Sequence, residues 1–141
     1  MIESEIIVAF GSNTHPEEQT EQAKALLRKR FGLGTRFSSS LVTSPIGMGG
    51  PSFVNCIMTA TTTLTLEQTL NVLKETERMC GDSRELRAEG KVMLDADLLL
   101  YGEGRHHTAD WQRPYIKMLL EEMRASGTAM RCIDQGIERK L

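Results

Sequence analysis

Between two stretches with helical apolar spacing, this chain sets two runs rich in β-branched and aromatic residues, TRFSSSLVT and FVNCIMTATTT, joined by the Gly/Pro loop SPIGMGGP. Such a pair reads as two antiparallel strands. The first helical stretch follows the short apolar run EIIVAF. Thr14-x-x-Glu17, with Pro16 in the first turn, predicts a capping box and a helix from about residue 15, with the stripe Ala23, Leu26, Leu27 and Phe31 and an end signal at Gly32. The second opens at Thr65-x-x-Gln68, carries Leu66, Leu70 and Leu73, and ends by Gly81. After the polar run GDSRELRAEGK come a further strand, VMLDADLLLYG, and a last amphipathic stretch, PYIKMLLEEMRA. The order β-α-β-β-α-β plus a terminal helix predicts an α+β, ferredoxin-like antiparallel sheet with helices packed on one face. With 141 residues, one domain over 1–141 is expected.

Charge excludes some partners. Seventeen basic against nineteen acidic residues leave a net charge of −2, which argues against a general nucleic-acid or anionic-membrane surface. The start, MIESEIIVAF, lacks the basic segment and long apolar core of a secretory signal, so a cytoplasmic location is expected. Cys56, Cys80 and Cys132 are odd in number and widely spaced, which predicts free thiols.

The strand VMLDADLLLYG then poses a chemical problem. Successive strand side chains alternate faces, so Asp95 and Asp97 project together while Leu94, Ala96 and Leu98 line the other face. Two shielded carboxylates side by side call for a cation or a ring of donors. The alternative is an edge strand whose inward charges deter edge-to-edge pairing.

Four motifs occur in one order: AFGSN after the first strand, TSPIG opening the glycine-rich loop, PSFVNC entering the third strand, and LDADLLLYG in the fourth. Together they resemble the 6-hydroxymethyl-7,8-dihydropterin pyrophosphokinase family, from about Ile6 to Gly102, with a fainter echo through RPYIKMLLEEM. The resemblance implies transfer of pyrophosphate from ATP to a reduced pterin in folate biosynthesis, with AMP released and two Mg²⁺ ions assisting. It implies that Asp95 and Asp97 hold the metal ions, and that Ser44, Pro45, Ile46, Phe53, Asn55 and Tyr115 form the pterin pocket. Lys74, Glu77, Leu98 and Arg113 fall at ATP-contacting positions, and Arg84 and Lys91 stand as the candidate catalytic cations. The implied partners are ATP and a reduced pterin, acting on a monomer, with no nucleic acid and no membrane.

The chain also departs from the family pattern. Asp82 and Val92 stand where the family has arginines, Glu89 replaces a loop aromatic, and Lys74 stands where a Gln is usual. HHTADWQRPY is shorter than the family's segment and lacks its Pro-His pair; His106 and His107 read as solvated loop residues, and Trp111 as an anchor for the last helix. The polar run GDSRELRAEGK and the loop SPIGMGGP are expected to be mobile, closing over ligands. Three readings follow: a pyrophosphokinase with a remodelled loop, weakened by the loss of positive charge; a non-catalytic paralogue that binds pterin or nucleotide; and a ferredoxin-like interaction domain. In the first, Asp82→Arg with Val92→Arg is expected to raise turnover.

Overall fold

The computed structural model describes residues 2–44 and 50–127, so Pro45 and Ile46 of the expected pocket, with the rest of 45–49, and Cys132 lie outside the described residues. The elements run β1 (Ser4–Ser12), α1 (Pro16–Phe31), β2 (Arg36–Phe37), β3 (Leu41–Thr43), β4 (Phe53–Thr62), α2 (Leu66–Met79), α3 (Arg84–Ala88), β5 (Asp95–Tyr101), β6 (Gly104–Arg105) and α4 (Pro114–Ala125), with a 3₁₀ turn at Asp110–Gln112. The strands form one antiparallel sheet in the order β2-β4-β1-β5-β6, with β3 also paired to β4. This is the ferredoxin-like α+β arrangement that the element order predicts.

Local chemistry sets the element ends. At α2 the capping box forms in full: Gln68 N–H donates to Thr65 Oγ1 at 3.1 Å, and Thr65 N–H donates to Gln68 Oε1 at 2.9 Å. The box expected at α1 does not form. Pro16 disfavours right-handed helix in the residue before it, the chain enters through His15 at φ 49°, and the Thr14 hydroxyl turns to Asn13 Oδ1 at 2.8 Å. The run TRFSSSLVT is divided into β2 and β3 because Ser38 replaces ladder geometry with its own side chain: its N–H donates to Ile57 O at 2.9 Å, and its Oγ accepts Ile57 N–H at 2.8 Å.

Strand alternation distributes the apolar residues between two layers. Ile6, Val8 and Phe10 of β1, Cys56 and Met58 of β4, and Ala96 and Leu98 of β5 face α1 and α2, meeting Ala23, Leu27 and Leu73. The crossover helices therefore share one face, as expected. The terminal helix covers the other, where Ile7, Ile57, Leu99 and Leu100 pack against Trp111 and against Ile116, Leu119, Leu120 and Met123 of α4. A register shift on β1 lets Val8 pair with Leu98 and Ile7 with Leu100, leaving Leu99 as an extra residue in β5. Leu99 and Leu100 consequently lie on the same face, and Tyr101 returns to the side of α1 and α2.

Candidate active site

Where α4 stops covering its face of the sheet, a cavity of about 250 Å³ opens over the central strand. Its floor follows from the pairing register. Gly11 lies between Asn55 of β4 and Asp95 of β5, and Ala9 lies between Ile57 and Asp97. The two smallest side-chain positions of β1 thus leave room for the polar groups of the neighbouring strands. At Gly11 the fit is tight: a Cβ would lie 2.7 Å from Asn55 Oδ1 and 2.8 Å from Val54 O. Asn55 is held from its other side, its Nδ2 donating to Thr43 Oγ1 at 2.7 Å. Phe53 and Tyr115 contribute half-buried rings, and Ser44 sits at the margin.

Asp95 and Asp97 project into this cavity from one face, as strand alternation requires. Burial, followed by the neighbouring Asp95 and then Asp110, pushes the Asp97 carboxyl up to about 8. Burial and the Asp110 carboxylate also raise the Tyr115 phenol above its ordinary value. The opposite rim is made by the segment after β6. Trp111, 2% exposed, donates its indole N–H to Leu99 O at 3.2 Å and His106 O at 3.1 Å, fixing this segment against β5. Asp110 then accepts Arg113 Nε at 2.8 Å, and His107, at φ 51°, lies 3.9 Å from both an Asp97 and an Asp110 oxygen.

The polar run after α2 is more ordered than its composition suggests. It contains α3, capped by Ser83 Oγ accepting Leu86 N–H at 3.2 Å, and it is tied to the end of β1 at two points. Asn13 Nδ2 donates to Gly90 O at 2.9 Å, and Asn13 Oδ1 accepts Val92 N–H at 2.7 Å. Asp82, whose side chain is 9% exposed, accepts Met93 N–H at 3.1 Å and Arg87 Nε at 2.6 Å. Its charge is therefore spent inside the loop rather than turned toward the cavity. The same arginine reaches the carboxylates: Arg87 Nη2 lies 3.3 Å from Asp95 Oδ1 and 3.6 Å from Glu77 Oε2. Glu77 accepts Ala96 N–H at 2.8 Å, and burial raises its carboxyl above the ordinary range.

Of the residues proposed from sequence, Ser44, Phe53, Asn55, Asp95, Asp97, Arg113 and Tyr115 line one cavity. Glu77 is not part of that lining but lies next to it, 3.6 Å from the Arg87 Nη2 that also meets Asp95. Lys74 and Arg84 are exposed on their helices, and Lys91 is exposed with Glu89 at 3.9 Å, so these three do not join the cavity lining. Leu98 is 1% exposed in the layer under α1 and α2, so its side chain is closed to any ligand. Sequence reading missed Asp110, Thr43 and Arg87. For Arg87 no helical period gave a signal: it stands five residues from Asp82, off the three- or four-residue spacing of a helix face.

A model of the family described as 7,8-dihydro-6-hydroxymethylpterin-pyrophosphokinase matches residues 7–125. The chain is also 30% identical over 122 residues to a folate synthesis bifunctional protein of Arabidopsis thaliana, an alignment covering 79% of this chain and 25% of that protein. The chain thus spans about a quarter of the length of that curated relative. Among the described residues, no helix is long and apolar enough to cross a membrane.

Proposed function

The chain belongs to the 7,8-dihydro-6-hydroxymethylpterin-pyrophosphokinase family, and from that membership we propose that it transfers pyrophosphate from ATP to 6-hydroxymethyl-7,8-dihydropterin in folate biosynthesis. The hydroxymethyl oxygen attacks the β-phosphorus, the bond from that phosphorus to the oxygen bridging the α-phosphate breaks, AMP departs with that oxygen, and the hydroxyl proton is released. Such transfers rely on positioning and charge stabilisation more than on covalent chemistry by the protein.

One observation carries the reading: a pair of same-face carboxylates shares a single cavity with two aromatic rings and an anchored amide. In this reading Phe53 and Tyr115 take the faces of the flat pterin ring, and Asn55, turned by Thr43 and backed by Gly11, presents donor and acceptor to its polar edge. Ala9 and Gly11 leave the floor flat beneath it. Asp95 and Asp97 would hold two Mg²⁺ ions. The donor set suits that metal, which takes one or two protein carboxylates and completes its shell with phosphate oxygens and water, and the two carboxylates open onto one cavity with room for such ligands. Bound there, the metal supplies neutralisation of the phosphate charge. Arg113, partnered by Asp110 at the rim, would turn toward phosphate in this reading.

Incubation with ATP, Mg²⁺ and the hydroxymethyl pterin, followed by chromatography and phosphorus NMR, tests the proposal. AMP and a pterin diphosphate in equal amounts are expected. Formation of ADP, or pterin binding without product, would overturn it.

A further inference from the structure

Arg87 is a single guanidinium set among three carboxylates, and its two ends are held unequally. At one end Nε meets Asp82 Oδ2 at 2.6 Å, and Asp82 is itself nearly buried and fixed by Met93 N–H. At the other, Nη2 has the longer contacts: Leu94 O at 3.1 Å, Asp95 Oδ1 at 3.3 Å and Glu77 Oε2 at 3.6 Å. The Arg87 side chain keeps 38% of its surface exposed, so the loosely held end has solvent to move into. Asp95 Oδ1 therefore has a cation beside it that comes from the chain itself. A metal ion on that carboxylate would meet a like charge within contact distance, and one of the two must give way.

We infer that Arg87 is an exchangeable counter-ion: it neutralises Asp95 until a metal–nucleotide complex takes that carboxylate, then swings about its Asp82 anchor to bind the nucleotide's phosphates. This rests on the functional reading above for the identity of the nucleotide, but not for the competition at Asp95. A planar fork with one end fixed suits the second task, because it presents paired donors to a phosphate at little further loss of side-chain freedom. The exchange also gives the short helix α3 a purpose. It carries Arg87, and Asp82 stands two residues before its first helical residue, so that anchor and fork belong to one short stretch of chain.

The test measures two affinities in the full chain, for wild type, Arg87→Ala and Arg87→Lys. The first is for Mn²⁺ alone, by electron paramagnetic resonance of the free ion. The second is for a non-hydrolysable ATP analogue with Mg²⁺, by calorimetry. In Arg87→Ala the competitor for Asp95 is gone, so Mn²⁺ should bind about 5-fold tighter, while the nucleotide complex should bind at least 10-fold weaker. Arg87→Lys retains the charge without the fork and should leave Mn²⁺ affinity near wild type with an intermediate loss for nucleotide, which keeps the test open even if the alanine variant unfolds. Both affinities falling together would mean that Arg87 only secures the loop; no change in either would make it a solvated ion pair; tighter Mn²⁺ with unchanged nucleotide affinity would remove its phosphate role. Each overturns the inference. If the opposite shifts appear but the wild type yields no AMP, the counter-ion exchange stands and the pyrophosphokinase reading falls.

Discussion

Replacing Gly11 with alanine adds one methyl group at the point where β1, β4 and the cavity meet. The new Cβ would fall 2.7 Å from Asn55 Oδ1 and 2.8 Å from Val54 O. Both separations are shorter than such atoms tolerate, and the two obstacles differ. The Asn55 amide can rotate away, but only by breaking its 2.7 Å bond to Thr43, whereas the Val54 carbonyl belongs to the β1–β4 ladder and moves only with the strand. Overpacking of this kind costs about 1–3 kcal/mol, and the lost hydrogen bond adds roughly 1 kcal/mol. For a chain of this size that corresponds to a melting temperature lower by about 5–12 °C. The larger effect should be on ligand. In the proposed pocket, an amide that no longer faces the ring edge forfeits about 1–3 kcal/mol of binding, or about 5- to 150-fold in pterin affinity. Calorimetric titration with the pterin, beside a thermal melt, reads both quantities. Wild-type pterin affinity in Gly11→Ala would refute the claim that Gly11 aims Asn55. A normal melt with lost affinity would show that the strand absorbs the methyl and only the amide turns.

Other perturbations address other parts of the site. Asp97 keeps its proton in the folded chain up to about pH 8 but would lose it near 3.8 when unfolded. The folded state therefore binds an extra proton between those values, and that contribution to stability, present in full below about pH 4, is lost as pH rises through 8. The melting temperature without metal should fall from pH 5 to pH 9, Asp97→Asn should flatten the fall, and Mg²⁺ added at pH 7 should release protons, measurable by calorimetry in buffers of different ionisation enthalpy. Asp82→Arg should lower nucleotide affinity and stability, because it strips Met93 N–H of its acceptor, at about 1–3 kcal/mol, and sets a like charge against Arg87, so Asp82→Arg with Val92→Arg should not give the rise in turnover expected from the sequence. Chemical denaturation of the single variant and turnover of the double variant decide between the two expectations. Trp111→Ala should cost about 3–5 kcal/mol and free the segment bearing Asp110 and Arg113, seen as faster amide exchange there than in the sheet.

What could be read in the sequence was whatever depends on local period. The side of the strand taken by Asp95 and Asp97 follows from alternation alone, and so does the burial of Leu98, which alternation opposes to its placement among nucleotide contacts. The α2 capping box was legible because nothing competes with it, whereas the same four-residue pattern at Thr14 fails because Pro16 constrains the preceding backbone. The division of β2 from β3 rests on a serine side chain bonding across to Ile57, a pairing that exists only once the sheet has formed. The same holds for Arg87: its link to Asp82 is local, but its approach to Asp95 requires the loop to be fastened by Asn13, about eighty residues earlier. Asp110 reaches the cavity only because Trp111 docks on β5; the sequence marks Trp111 as an anchor, and the structure bears that out, but not that the carbonyl of Leu99 receives it.

The extra residue at Leu99 has a consequence for how this strand can change over time. β5 is in effect two half-strands out of phase by one step, the first dedicated to the carboxylates and the second to the layer under α4. Because side chains repeat every second residue, a further residue inserted between Asp97 and Tyr101 would turn one half-strand onto the wrong layer unless the bulge absorbed it, whereas loss of Leu99 would close the bulge and remove one apolar side chain from the layer under α4. The carbonyl of Leu99, where the phase breaks, is also the one that receives Trp111. An inserted residue in this short interval should therefore be far less tolerated than a substitution, because β5 would have to shift its pairing with β1 to keep the site.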